Sequence, residues 1–282
     1  MTQPASPGSP APGPGVHPLA QPLPWDLIAA DYEAEIVPVF SRYAAEALEL
    51  ADLPPGAEVL DVAAGPGTLS LLAARSARRV VAVDFSPRMV ERLRQRAAAL
   101  GVTHIEAQVA DGQALPWAAA SFDAAFSMFG LIFFPDPDRG FRELVRVLRP
   151  GRRAVVSSWR PTSRVPVMRE IFLALREALP GLQFGEGREP LSEPDEVRDR
   201  MQAAGFKDVL LHETAHAFDY PSIEALWGSM SRALAPLALL REKLGEEVWL
   251  EVARTLLTRL GDRCGTGPQR VAMPALLARG AV

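Results

Sequence analysis

Glu58-Val59-Leu60-Asp61-Val62-Ala63-Ala64-Gly65-Pro66-Gly67-Thr68-Leu69-Ser70 is the stretch whose reading decides the fold. Val59, Leu60 and Val62 are β-formers in a nearly continuous apolar run, as expected of a parallel strand covered on both faces. Thr68-Leu69-Ser70 opens a helix. Between them, Ala63, Ala64, Gly65 and Gly67 put almost no side chain between the backbone and whatever sits above the turn. A ligand can approach the main chain closely there, beside a helix N-terminus.

Strands and helices alternate outward from this turn. Upstream, Asp52-Leu53-Pro54-Pro55-Gly56 reads as a linker. Residues 25–51 carry Tyr32, Ile36, Val39-Phe40, Tyr43-Ala44 and Ala47-Leu48 at helical spacing, with Pro38 splitting them into two helices. These helices either pack on the sheet or form a lid, with Tyr32 or Arg42 reaching the ligand. Downstream come a helix from Thr68 to about Ala77 and a strand Arg79–Asp84. Ser86 then caps a helix that starts at Pro87 and stops at Gly101. Strands follow over 102–109, 122–128 and 153–159, with a helix over 138–148. This order predicts a Rossmann-like, doubly wound α/β sheet with right-handed crossovers. The last third reads as a helix over 165–179, a glycine-bearing loop over 182–194, a helix over 195–204, and a strand over 207–218. A helical cap over 221–267 breaks near Pro236 and Gly245. The final strand runs from Gln269 to about Leu277, where Pro274 calls for an edge position, a bulge or an early end.

Residues 1–24 are rich in Pro, Ala, Gly and Ser and read as a disordered tail. The chain of 282 residues has a net charge of −4, and its arginines are interleaved with acids, so no nucleic-acid partner is expected. Its single cysteine, Cys264, is read as an ordinary thiol on a late loop and excludes an internal disulfide. No apolar run is long enough to span a bilayer, and the N-terminus lacks a signal-peptide pattern; a cytoplasmic protein is expected.

Acids follow the strand ends. Asp84 closes the second predicted strand, where an acid accepts both hydroxyls of an adenosine ribose. Phe85 follows it. Asp111, with the Gly112 N–H beside it, fits an adenine amino group, and Met89 could pack on the adenine. NAD is the rival ligand. Its fingerprint wants a glycine three places after Gly67, and Ser70 stands there. Asp61 before the turn would repel a pyrophosphate and suits a cationic or zwitterionic ligand. That balance favours S-adenosylmethionine, which carries a sulfonium and an amino group.

The ordered set resembles the class I S-adenosylmethionine-dependent methyltransferases, particularly the ubiquinone/menaquinone-type small-molecule branch. Its carriers are Val59 to Gly67, Val83-Asp84-Phe85-Ser86-Pro87-Arg88-Met89, Ala110-Asp111-Gly112-Gln113-Ala114-Leu115-Pro116, Phe122-Asp123 with Ser127-Met128-Phe129-Gly130, and Glu143 to Gly151. The resemblance implies seven strands in the order 3-2-1-4-5-7-6 with the last antiparallel. It implies that Asp61 and the backbone of Ala63, Gly65 and Gly67 face the methionine part, Asp84 the ribose and Asp111 the adenine. Ser127 to Gly130 would line the path to the acceptor, and S-adenosylhomocysteine would be the product. Ala63 stands where the family usually has its first glycine, and Arg152 where it often has a second glycine after the proline.

A hydrophobic small-molecule acceptor is expected, walled by Phe129, Leu131, Ile132, Phe133, Phe134, Trp159, Trp227, Met230 and Leu234. If it is a phenol, a base would help; His216 and, behind it, Tyr43 are the candidates. An acceptor already nucleophilic would need none. His104, His212 and His216 lack metal-ligand spacing with nearby acids, so no metal is expected. Two other readings stay open: a protein that uses S-adenosylmethionine for a non-methylating step, and an NAD(P)-binding oxidoreductase.

Overall fold

The computed structural model describes residues 17–179 and 189–282. Residues 1–16 of the expected tail and 182–188 of the expected glycine-bearing loop lie outside the described residues. The strands are β1 (Glu58–Val62), β2 (Arg79–Asp84), β3 (Ile105–Val109), β4 (Phe122–Met128), β5 (Leu148–Trp159), β6 (Lys207–Tyr220) and β7 (Gln269–Ala281). They form one sheet in the order β3-β2-β1-β4-β5-β7-β6. β1 is parallel to both neighbours, and β7 is antiparallel to β5 and β6. The helices are α1 (Leu23–Glu35), α2 (Val37–Ala51), α3 (Thr68–Ala73), α4 (Pro87–Ala99), α5 (Pro137–Val147), α6 (Pro166–Ala178), α7 (Pro194–Ala204), α8 (Ile223–Ala233), α9 (Ala235–Leu244) and α10 (Glu246–Cys264).

The period-2 geometry of β1 sends its side chains into two cores. Leu60 and Val62 join Phe122, Phe141, Leu144 and Met201 on one face of the sheet. Val59 joins Tyr43, Ala47, Leu69, Phe126 and Leu277 on the other. A third apolar cluster lies under the cap, where α6, α8, α9 and α10 meet around Ile171, Trp227, Leu240 and Leu256. The cap thus recruits α6, which lies before the expected 221–267 segment.

Local chemistry sets the boundaries. Ser86 Oγ accepts the Met89 N–H at 3.1 Å and caps α4, with Pro87 at its first position. α1 gives way to α2 at Ile36, just ahead of Pro38. Gly205, at φ +110°, closes α7. Some expectations shift. Pro18–Ala20, assigned by composition to the tail, form a 3-10 turn, and Leu19 packs against Ile28 and Met89. β5 begins at Leu148 rather than Arg153, through a register shift opposite Phe122 and Ala124. Cys264 is the last residue of α10 rather than a loop residue.

The largest surprise is at Pro274. β7 neither ends there nor lies at an edge; it runs on to Ala281 between β5 and β6. One residue earlier, the Tyr43 hydroxyl from α2 enters the ladder. It accepts the His216 N–H at 2.9 Å and donates to the Met273 carbonyl at 2.5 Å. A side chain from a packed helix thereby bridges strands beside a residue that has no N–H. Tyr43 is fully buried. Tyr43→Phe should cost about 1–3 kcal/mol, because two backbone groups lose their partner inside the sheet. Urea unfolding checks this, and an unchanged midpoint would remove the structural role.

Candidate active site

Three acids stand on one rim of the sheet. Asp84 is the last residue of β2. Its Oδ2 accepts the Gly65 N–H at 2.8 Å, and its Oδ1 accepts the Ser86 N–H at 2.9 Å. With the Ala64 N–H donating to the Val83 carbonyl at 2.9 Å, these bonds fasten the turn after β1 to the end of β2. Each carboxylate oxygen keeps a further acceptor site. Asp61, at 1 % exposed, accepts the Ser70 hydroxyl on Oδ2 at 2.6 Å. Its Oδ1 is buried with no partner. Burial, partly offset by Ser70 and reinforced by Asp84, pushes the Asp61 carboxyl up to about 7. Burial likewise pushes Asp84 up to about 6, against its bonds from Ser86 and Gly65. Asp111 follows β3, with Oδ1 accepting the Gln113 N–H at 2.8 Å.

The turn between them is strained. Ala63 has φ +57°, a left-handed conformation that costs a non-glycine residue roughly 1–2 kcal/mol. This accounts for the glycine usual at that place. Its Cβ lies against Gly130, where an added Cβ would sit 2.4 Å from it and 2.8 Å from Ser127 Oγ. Phe129 is also left-handed, at φ +56°. Its N–H donates to Ser157 Oγ at 2.9 Å, and its ring stacks on Trp159 with centroids 3.9 Å apart.

A cavity of about 1090 Å³ opens above this rim. Single small-molecule pockets run to roughly 300–1,000 Å³, so this cavity lies at the top of that range. Ala63, Gly65, Asp84, Phe85, Met89, Asp111 and Gly112 line it, as do Phe129, Ile132, Phe133, Phe134, Trp159, Met230 and Leu234. Asp61 faces a smaller recess of about 40 Å³ that shares Tyr32, Phe40, Ala63 and Gly65 with the large one. α1 and α2 border the cavity: Trp25 of α1 meets Phe133 edge-on at 4.8 Å. Asp26 of α1 accepts the Ser86 hydroxyl at 2.5 Å, which ties α1 to the α4 cap.

Several expected site residues stand elsewhere. Gly67, at φ +81°, faces Leu93, and an added Cβ would lie 1.8 Å from Leu93 Cδ1; it shapes the turn and does not line either cavity. Ser127 is fully buried behind Gly130, away from the cavity walls. Trp227 stacks on Trp249 at 5.7 Å in the cap core, and Leu131 packs with Phe141 under the sheet. Arg42 is exposed, whereas Tyr32 lines the cavity. The expected bases are engaged in the scaffold. His216 Nε2 pairs with Glu46 of α2 at 2.7 Å, outside the cavity wall. The Tyr43 hydroxyl is held in the β6–β7 ladder, and burial pushes it up to about 12. Glu46, Tyr220 and Ser229 were not singled out from the sequence. Tyr220 shares strand parity with Phe218, which is the one clue to its facing the cavity.

The methyltransferase-domain family matches residues 59–151. A demethylmenaquinone methyltransferase of Thermus thermophilus is 34 % identical over 179 residues, which cover 58 % of this chain and 81 % of that protein. The chain belongs to the class I methyltransferases. Within them it falls in the quinone-type branch. An uncharacterized protein of Mycobacterium tuberculosis is 45 % identical over 109 residues, 39 % of each chain. The chain thus spans about two fifths of the length of that relative. The crystal structure of the YcgJ protein of Bacillus subtilis shares the methyltransferase fold, with a TM-score of 0.59 at 19 % identity over 85 % of this chain and 97 % of that one. Among the described residues, no helix is long and apolar enough to cross a membrane, and no group of three or more His, Cys, Asp or Glu side chains could hold a metal ion.

Two expectations follow from this geometry. Asp61 and Asp84 have carboxyls raised in the fold above their unfolded value, so the folded chain holds more protons than the unfolded chain between about pH 4 and 7. Their contribution to stability is full below pH 4 and is lost as pH rises through 6 to 7. Asp61→Asn should flatten this slope in urea melts across that range; an unaltered slope would count against the buried-acid reading. Second, Gly130→Ala should destabilise by crowding Ala63, and Ala63→Gly should relieve both the crowding and the left-handed strain. A double-mutant cycle should give a coupling of about 1 kcal/mol, whereas strict additivity would show that the two Cβ positions do not meet.

Proposed function

We propose that this protein transfers a methyl group from S-adenosylmethionine to a hydrophobic small-molecule acceptor. The observation that carries the reading is the unpartnered Asp61 Oδ1 beside the turn. A buried carboxylate with an unmade bond matches an ammonium and disfavours a pyrophosphate. Asp84 would offer its remaining lone pairs to the ribose hydroxyls and Asp111 would accept from the adenine amino group, and Phe85 and Met89 line the same cavity. When bound, S-adenosylmethionine supplies a methyl already activated on a sulfonium.

The chain's work is then alignment and exclusion of water. Phe129 and Trp159 stand as a rigid stacked wall near the turn. α1 and α2 serve as the lid, and the cap walls the acceptor chamber with Met168, Phe172 and Met230. With His216 and Tyr43 held in the scaffold, the chamber best suits an acceptor that is already nucleophilic: a carbon flanked by oxygen functions, or an ionised phenol. The quinone-type relatives support the same class.

Calorimetry should show binding of S-adenosylmethionine and none of NAD. Asp84→Ala should weaken the binding by about 10- to 100-fold, given charged hydrogen bonds worth roughly 1.5–3 kcal/mol. Label from methyl-labelled S-adenosylmethionine should pass to a member of a panel of quinols and phenols. NAD binding without S-adenosylmethionine binding would overturn the proposal.

A further inference from the structure

Most of the acceptor chamber is apolar, and its polar groups differ in how well they are satisfied. Thr162 and Glu189 both face it but serve one another: Glu189 Oε1 accepts the Thr162 N–H at 3.0 Å and its hydroxyl at 2.6 Å. Tyr220, at the end of β6, and Ser229, on α8, also line the cavity. Ser229 is only 3 % exposed, and its Oγ is buried without a hydrogen bond. It lies close to both the Tyr220 hydroxyl and the Glu35 carboxylate. Glu35, at the end of α1, is held from the outside by Arg232 of α8 at 2.5 Å.

A hydroxyl left unbonded in a dry wall is unfavourable, and such groups in native proteins have a partner or a purpose. The surroundings say what partner fits. Burial and the Glu35 charge keep the Tyr220 phenol protonated despite the nearby Ser229, so it offers a donor. Glu35, although partial burial works against its ionised form, is kept ionised by Arg232 and attracts the Ser229 proton. With its proton turned to Glu35, the Ser229 Oγ would keep its lone pairs for a partner on the chamber side. One donor beside one acceptor matches a ligand hydroxyl, which needs both.

We propose that Tyr220 and Ser229 form a polar subsite that grips a hydroxyl group of the acceptor, with Glu35 as the positioning residue that orients Ser229. This rests on the acceptor-chamber reading above. The probes are 1-naphthol and naphthalene, titrated against the full chain through the fluorescence of Trp25 and Trp159 in the cavity wall. Ser229→Ala and Tyr220→Phe should each weaken 1-naphthol about five- to tenfold and leave naphthalene unchanged. Glu35→Gln should weaken 1-naphthol less than Ser229→Ala does. If naphthalene binds but 1-naphthol is indifferent to both substitutions, the subsite is overturned and the chamber stands. Parallel losses for both probes would mean a packing role and also overturn it. If neither probe binds the unaltered chain, the chamber reading fails, and the subsite with it.

Discussion

Two carboxylates buried at the ends of adjacent strands set the terms for the rest of this structure. Asp61 and Asp84 lie 1 % and 6 % exposed, and the Asp84 charge adds to the burial that raises the Asp61 carboxyl. Removing such groups from water is unfavourable unless donors or a cation compensate. The fold compensates Asp84 with two backbone N–H groups, and those same bonds fasten the turn after β1. It compensates Asp61 on one oxygen only. The site is therefore tense by construction: Asp61 keeps one oxygen without a partner, and the oxygens of Asp84 keep acceptor capacity.

Closeness of backbone follows from the same constraint. A turn that must sit above two acids and beneath a ligand leaves little room for side chains. Ala63 accepts a left-handed conformation, and Gly130 leaves space for the Ala63 methyl group. The Phe129–Trp159 stack then covers the sheet end, and α1, α2 and the late helices complete a cavity of about 1090 Å³. Tyr43 belongs to this architecture as a tie rather than a reagent. By bridging β6 and β7 beside Pro274, it fixes the strands whose far end carries Tyr220 into the chamber.

The run of strands, the capped start of α4 and the acid closing β2 were legible in the sequence because each rests on local chemistry: β-branched runs, a Ser-Pro cap, an acid at a strand end; the strand order came with the family resemblance. That Ala63, Gly65, Asp84, Phe85, Met89, Asp111 and Gly112 share one cavity wall was legible for the same reason, since they lie along three βα junctions. The acceptor side was legible only in part. Phe129, Phe133, Trp159 and Met230 line the cavity, whereas Trp227 faces inward to Trp249 and Ser127 is hidden behind Gly130. Helical periodicity marks an apolar face without saying which part of it meets a ligand.

What the sequence by itself determined was therefore the sheet, its turn and the methyltransferase family, because those depend on neighbours in the chain. What only the tertiary structure decided was the assignment of side chains brought together over long separations. Tyr43 meets His216 and Met273, Glu46 meets His216, and Ser229 comes close to both Tyr220 and Glu35. A hydroxyl or imidazole has the same letter in the sequence whether it faces a ligand or ties two strands. Which it does depends on the burial and hydrogen-bond partners that packing supplies.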